Sequence, residues 1–251
     1  MTLLRRMALM YVVLLLPVLA SAELGGDVPV SFQEVDVYFP DAEAWTYHYF
    51  CRYPRLLGNN PSAENINRYY ETAISEMTEL VLPMYANDPD MAAYGQNGFL
   101  QEYEITCNNG AFFSTRMLQK QTLGDSAFET VHSQVFAIRG PYAGESLTLR
   151  GLLGEIGESS TQIAAVVLND IWKRIESEMA AGGAVWLEDL TFDMFALDFY
   201  PEEHFYADND GNAVFYLQPG LFRRDPEISV FTYSKDDVTA LLNETTLQEV
   251  R

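Results

Sequence analysis

From Trp45 the chain alternates apolar and polar side chains: Trp45, Tyr47, Tyr49, Cys51 and Tyr53 fall on one face, and Thr46, His48, Phe50 and Arg52 on the other. A period of two predicts a half-buried strand, and Pro54, with no N–H to offer a ladder, is expected to end it. The period then changes. Asn60-Pro61 supplies an N-cap and a proline suited to the first helical position. Ile66, Tyr69, Tyr70, Ala73, Ile74, Met77, Leu80 and Val81 recur at helical spacing, with Pro83 as the expected stop. Such a stripe is the face that packs on a sheet. Ser159 or Ser160 opens a second helix with Ile163, Val167, Ile171, Ile175 and Met179 inside, ended by Gly182-Gly183.

Between these helices, Leu100–Cys107 and Phe112–Gln121 flank Asn108-Asn109-Gly110, a hairpin signal because Asn-Gly tolerates positive φ. Phe128–Arg139 reads as a further strand, and residues 87–98 carry loop chemistry. Leu190–Phe199, Glu203–Ala207, Ala213–Leu217 and Ile228–Tyr233 read as a β-rich block. Ser234 and Asp237, three apart, cap a short last helix through Leu242. The fold class expected is α+β: antiparallel sheet or sheets, with two long helices and one short C-terminal helix packed on them.

The N-terminus changes the compartment. Arg5-Arg6, the apolar run Met7–Leu19 and Ala20-Ser21-Ala22 have the layout of a secretory signal peptide cut after Ala22. The run is too short for the roughly 20 apolar residues of a spanning helix. The chain therefore divides into a signal segment, 1–22; a leader and first strand, 23–44; a domain over 45–243, divisible at about residue 158; and a frayed tail, 244–251. The expected destination is extracellular or the periplasm and cell envelope, with no stable membrane insertion after cleavage.

Charge narrows the partners. Thirty-six acids against 15 lysines and arginines give a formal charge of −21, and loss of residues 1–22 removes two arginines and no acid. Such a surface repels phosphate backbones and anionic lipid and attracts basic proteins, so no nucleic-acid partner is expected. In an exported chain Cys51 and Cys107, the only two cysteines, are expected to form one disulfide; two buried free thiols are the other reading.

Catalytic chemistry is sparse. His48, His132 and His204 are scattered, with no zinc-binding spacing, and each reads as a strand or surface residue. Gly124-Asp125-Ser126-Ala127-Phe128 lacks the last glycine of a nucleophile elbow. Asp208-Asn209-Asp210-Gly211-Asn212 puts its glycine at position four rather than the six of a calcium loop, so it reads as a tight turn. Glu202-Glu203 and Asp236-Asp237 are acidic pairs that a chain this acidic supplies by chance. No catalytic, cofactor-binding or metal-ligating residue is assigned, and no cofactor is expected.

The block from Phe199-Tyr200 through Phe205-Tyr206, Asp210-Gly211, Val214-Phe215-Tyr216 and Pro219 resembles a bacterial extracytoplasmic domain family. That family is shared by the lysozyme-sensing outer domain of the anti-sigma factor RsiV and the accessory domain of a peptidoglycan deacetylase. Tyr53-Pro54-Arg55-Leu56 with Ile66-Asn67, and Phe136-Ala137-Ile138 with Gly144 to Leu149, are similar to its earlier motifs. One departure is Phe128-Glu129-Thr130-Val131-His132, where the family often carries Gly-Gly-Ala-His. The resemblance implies a secreted, non-catalytic binding or sensing domain for a basic protein such as lysozyme, or for peptidoglycan. The alternative is an envelope hydrolase of glycan or peptide, its carboxylates unidentified.

Overall fold

The computed structural model describes residues 28–58, 61–154, 156, 159–183 and 185–249, without the side chains of residues 92 and 246–249. The signal segment and the Asn60 cap lie outside the described residues. In chain order the elements are β1 (Val30–Phe39), β2 (Tyr47–Leu56), α1 (Pro61–Glu76), a π-helical turn (Met77–Val81), α2 (Leu82–Ala86) and α3 (Pro89–Ala92). Next come β3 (Asn97–Asn108), β4 (Phe112–Leu123), β5 (Ser126–Ala137), α4 (Leu149–Leu152) and α5 (Ser160–Ala180). The chain closes with α6 (Phe192–Asp198), β6 (Phe205–Ala207), β7 (Ala213–Tyr216), β8 (Val230–Tyr233) and α7 (Lys235–Glu249).

β1 to β5 form one sheet in sequence order, and β6, β7 and β8 a second, antiparallel one. The fold is α+β, but the large sheet is mixed rather than antiparallel. β2 and β3 run parallel, Tyr47 opposite Asn97 through Arg52 opposite Glu102. The reason is the helical segment between them, which crosses over the sheet and returns the chain in the same direction. β3 to β4 to β5 is an antiparallel meander, and its first turn has Gly110 at φ 73°.

Each face of the large sheet is covered by a different body. α1 lays Ile66, Tyr70 and Ile74 against Tyr49, Cys51, Phe99 and Phe113. On the other side α5 buries Ile163, Val167, Ile171 and Ile175 in a second cluster with Phe195, Phe215 and Val135. Burial of such aliphatic side chains stabilises by roughly 1.5–3 kcal/mol each. Ser159 caps α5 in a capping box with Gln162.

Several expectations are corrected. β2 continues through Pro54 to Leu56. The N–H and C=O of Leu56 point away from β1, to the Asn67 side chain of α1. Pro54, two residues earlier, has its nitrogen on that same side, and β3 pairs only as far as Arg52, so no ladder bond is lost. Pro83 does not stop the first helix: the π-turn resets the ladder, and Pro83 sits in the first turn of α2, where its missing N–H costs nothing. Leu190–Phe199 is not a strand: Thr191 caps Met194 N and α6 follows. The last helix spans 15 residues and is not short.

The disulfide is also corrected. Both cysteines are free and buried. Cys51 stands opposite Gln101 on β3, and Cys107 lies six residues farther on, roughly 20 Å along the strand at ~3.3 Å per residue. A bridge requires Cα atoms within about 7 Å. A register shift between Ile105 and Cys107 also turns Cys107 to the opposite face from Tyr103 and Ile105, into the second cluster. Burial pushes the Cys51 thiol up to about 12 and the Cys107 thiol to about 11. Thiol titration at pH 8 should find neither group reactive in native protein and two per chain after denaturation; none after denaturation would mean a bridge.

The core under α1 contains a buried polar relay. The Tyr49 hydroxyl donates to Gln101 Oε1 at 2.8 Å, and Gln101 Nε2 donates to Gln119 Oε1 at 2.8 Å. Tyr49→Phe removes the donor but leaves Gln101 in place. The expected cost, read from urea denaturation, is about 1–3 kcal/mol, that of an unsatisfied buried acceptor.

Candidate functional site

β5 presents two faces by simple alternation. His132, Gln134 and Phe136 face α1, whereas Val131, Ser133 and Val135 face the small sheet. Two clefts meet on this strand. One, about 350 Å3, lies between α1 with its π-turn and the sheet; Tyr69, Met77, Tyr103 and Met117 contribute to its wall. The other, about 450 Å3, lies between β5, Ser146–Thr148 and the turn carrying Glu202, Glu203 and His204. His132, Ser133 and Gln134 line both, so the two form one groove around β5.

The groove is held open by polar side chains that are themselves fixed. Gln134 accepts from the Tyr69 hydroxyl at 3.2 Å and donates to the Ser146 hydroxyl, linking helix, strand and loop. Ser133 donates its hydroxyl to the carbonyl of Phe205, tying β5 to β6. Gln218 donates to the carbonyl of Val131 and accepts from its N–H, each at 2.8 Å. His204 packs among Phe199, Tyr200 and Tyr216 with ring centroids 5.5–5.9 Å away. The Tyr200 N–H donates to His204 Nδ1 at 3.3 Å, which leaves the proton of the neutral ring on Nε2.

The lining is acidic. Glu76, Glu202 and Glu203 border the groove, and no lysine or arginine does among the described residues. Both histidines titrate below their usual range. Partial desolvation is the main cause at His132 and at His204, where the adjacent Glu203 opposes it and His132 adds to it.

The structure thus brings together residues that sequence reading left apart. His132, His204 and the Glu202-Glu203 pair share the groove, while His48 sits on the far face, 2.8 Å from Asp36. Cys51 and Cys107 are buried in separate clusters. Asp237 accepts from the Ser234 hydroxyl at 2.6 Å as a cap of α7. Asp208 closes the 208–212 turn by accepting from Asp210 N and Asn212 N. Tyr69, Ser133, Gln134 and Gln218 were not singled out for the site. Their one signal was Gln134 and Ser133 as polar positions within an otherwise apolar strand. Among the described residues no cluster of three His, Cys, Asp or Glu side chains is placed to hold a metal ion. No helix among them is long and apolar enough to cross a membrane.

Two solved structures share this architecture. One, a DUF3298 family member from Bacteroides fragilis NCTC 9343, is 14% identical, covers 84% of this chain and 92% of its own, and superposes with a TM-score of 0.51. The other, a DUF3298 family protein from Pseudomonas aeruginosa PAO1, is 10% identical, covers 86% and 94%, and gives 0.54. At these identities the likeness is one of fold: the chain has the fold of solved DUF3298 proteins. No protein-family model and no curated protein matches the sequence.

The histidines make folding pH-dependent. Their folded pKa values lie below the usual ~6.5, so the unfolded chain binds more protons in mild acid. Stability from this source is complete above about pH 6.5 and is lost as pH falls through the lowered values. His132→Asn/His204→Asn should therefore flatten the fall in melting temperature between pH 7 and 5 relative to the unsubstituted chain. Parallel curves would contradict the assignment.

Proposed function

We propose that the chain is a non-catalytic binding domain of the bacterial cell envelope that takes a basic protein of lysozyme type along the β5 groove. The observation that carries the reading is the groove itself: three glutamates at its border, no cation among its described lining residues, in a chain of formal charge −21. Sequence resemblance to the RsiV outer domain supports the same reading, and the signal-like first 22 residues support export. Peptidoglycan suits the groove less well, because carboxylates on its stem peptides would face the same glutamates. Hydrolysis is less well supported too. Glu202 and Glu203 are consecutive on one exposed turn, whereas glycoside cleavage needs carboxyls on two sides of a bound sugar.

The encounter should be steered by long-range charge and held by short-range contacts. Steering weakens as the screening length falls to about 8 Å at physiological salt. Calorimetric titration with a basic lysozyme should show binding at low ionic strength that persists, weakened, at about 0.15 M salt, and no binding to duplex DNA. Loss of all lysozyme binding at the higher salt would reduce the interaction to charge attraction and remove the reading.

A further inference from the structure

β5 is the last strand of the five-stranded sheet, so every second residue turns both backbone groups away from β4. Most of these groups are covered. Val131 gives its N–H and C=O to Gln218. Val135 O accepts from Leu147 N at 2.8 Å, Ala137 N donates to Glu145 O at 3.1 Å, and Ala137 O accepts from Gly144 N at 2.7 Å. Ser133 lies between the two covered stretches. By the same alternation its N–H and C=O face off the edge, and no described residue hydrogen-bonds to either. Residues 131–135 line the 450 Å3 cleft, so the gap opens into the groove.

We propose that this gap is a docking slot in which an extended segment of a basic partner protein pairs with Ser133 and adds one short strand to β5. The inference rests on the binding reading above and specifies its geometry. In an extended peptide the N–H and C=O of one residue point the same way, so a single residue satisfies both groups of Ser133. The acetamido group of an amino sugar is trans, its N–H and C=O opposed, and it can meet only one. The molecule already shows the required side-by-side arrangement in the carboxamides of Gln218 on Val131 and Asn67 on Leu56.

The slot also sets a side-chain order. Directly paired residues share a face, and the Ser133 side chain points to β6, the side of Glu202 and Glu203. The paired residue of the partner is therefore lysine or arginine. Its two neighbours point to the α1 side, toward Met77 and Met117, and are apolar. The segment recognised is apolar–basic–apolar in extended form.

The test uses the full described chain with blocked Thr-Val-Lys-Val-Thr, the same peptide N-methylated at its lysine, and Thr-Val-Glu-Val-Thr, alongside a basic lysozyme. The lysine peptide is expected to bind and to slow exchange of the Ser133 amide. N-methylation, which removes one hydrogen bond, should weaken it about tenfold, and the glutamate peptide should bind at least as poorly. Ser133→Pro deletes the free N–H without touching the β4 ladder. It should lose about tenfold more peptide affinity than Ser133→Ala, which removes only the hydroxyl. Equal binding of the N-methylated peptide, or of folded Ser133→Pro, overturns the slot; the N-methylated peptide keeps the test decisive if the proline variant does not fold. Lysozyme binding without peptide binding overturns the slot and leaves the binding reading intact, whereas failure of both overturns both.

Discussion

Val131 sits where the two halves of the molecule must agree. Its side chain is buried, and its outward N–H and C=O are both engaged by Gln218 from the segment after β7. The Tyr216 hydroxyl shares the same carbonyl at 3.3 Å. A backbone pair left unmet beside a buried side chain would cost what several good contacts supply. The small sheet is therefore fixed against the large one by hydrogen-bond demand as well as by apolar area. Ser114 reinforces this by accepting from Ala207 N at 3.1 Å. The position of the Glu202–His204 turn, and so the width of the groove, follows from that seam.

Much of this was legible in the chain. Alternation at Tyr47–Tyr53, the Asn109-Gly110 turn and the Ile163–Ile175 stripe each report a local rule that tertiary packing also obeys. The failures have physical causes. Strand direction is invisible to alternation, so the parallel β2–β3 pair had to be inferred from the crossover between them. The apolar run Phe192–Phe199 fits a strand or a helix, and the Thr191 cap decided it. Cys107 was placed by parity from Tyr103, and one bulge reverses parity. The groove could not be read at all, because Tyr69, Gln134, Gln218 and Glu202 meet only through the docking of one sheet on another.

The cations are mostly spent close to home. Arg52 lies near Glu34, Arg55 against Glu71, Arg116 against Glu104, Arg174 against Asp170 and Arg224 against Glu188. Arg223 binds Asp225 and Glu227 and lies over Trp186. Exposed pairs of this kind add little stability. Their larger effect is on the field: with the positive charges locally matched, the surplus carboxylates set the potential an approaching molecule meets.

The π-turn at Met77–Val81 has a consequence for how the chain tolerates change in length. A π-turn holds one more residue than an α-turn in the same helical path. Met77 and Val81 border the groove while Leu82, immediately after, is fully buried. Excising one residue there would restore a regular helix but rotate all that follows by about 100°, swinging Leu82 out of the core and α2 off the sheet. The extra residue acts as a phase adjuster: it lets a groove wall and a core contact, set on incompatible helical faces, belong to one continuous rod.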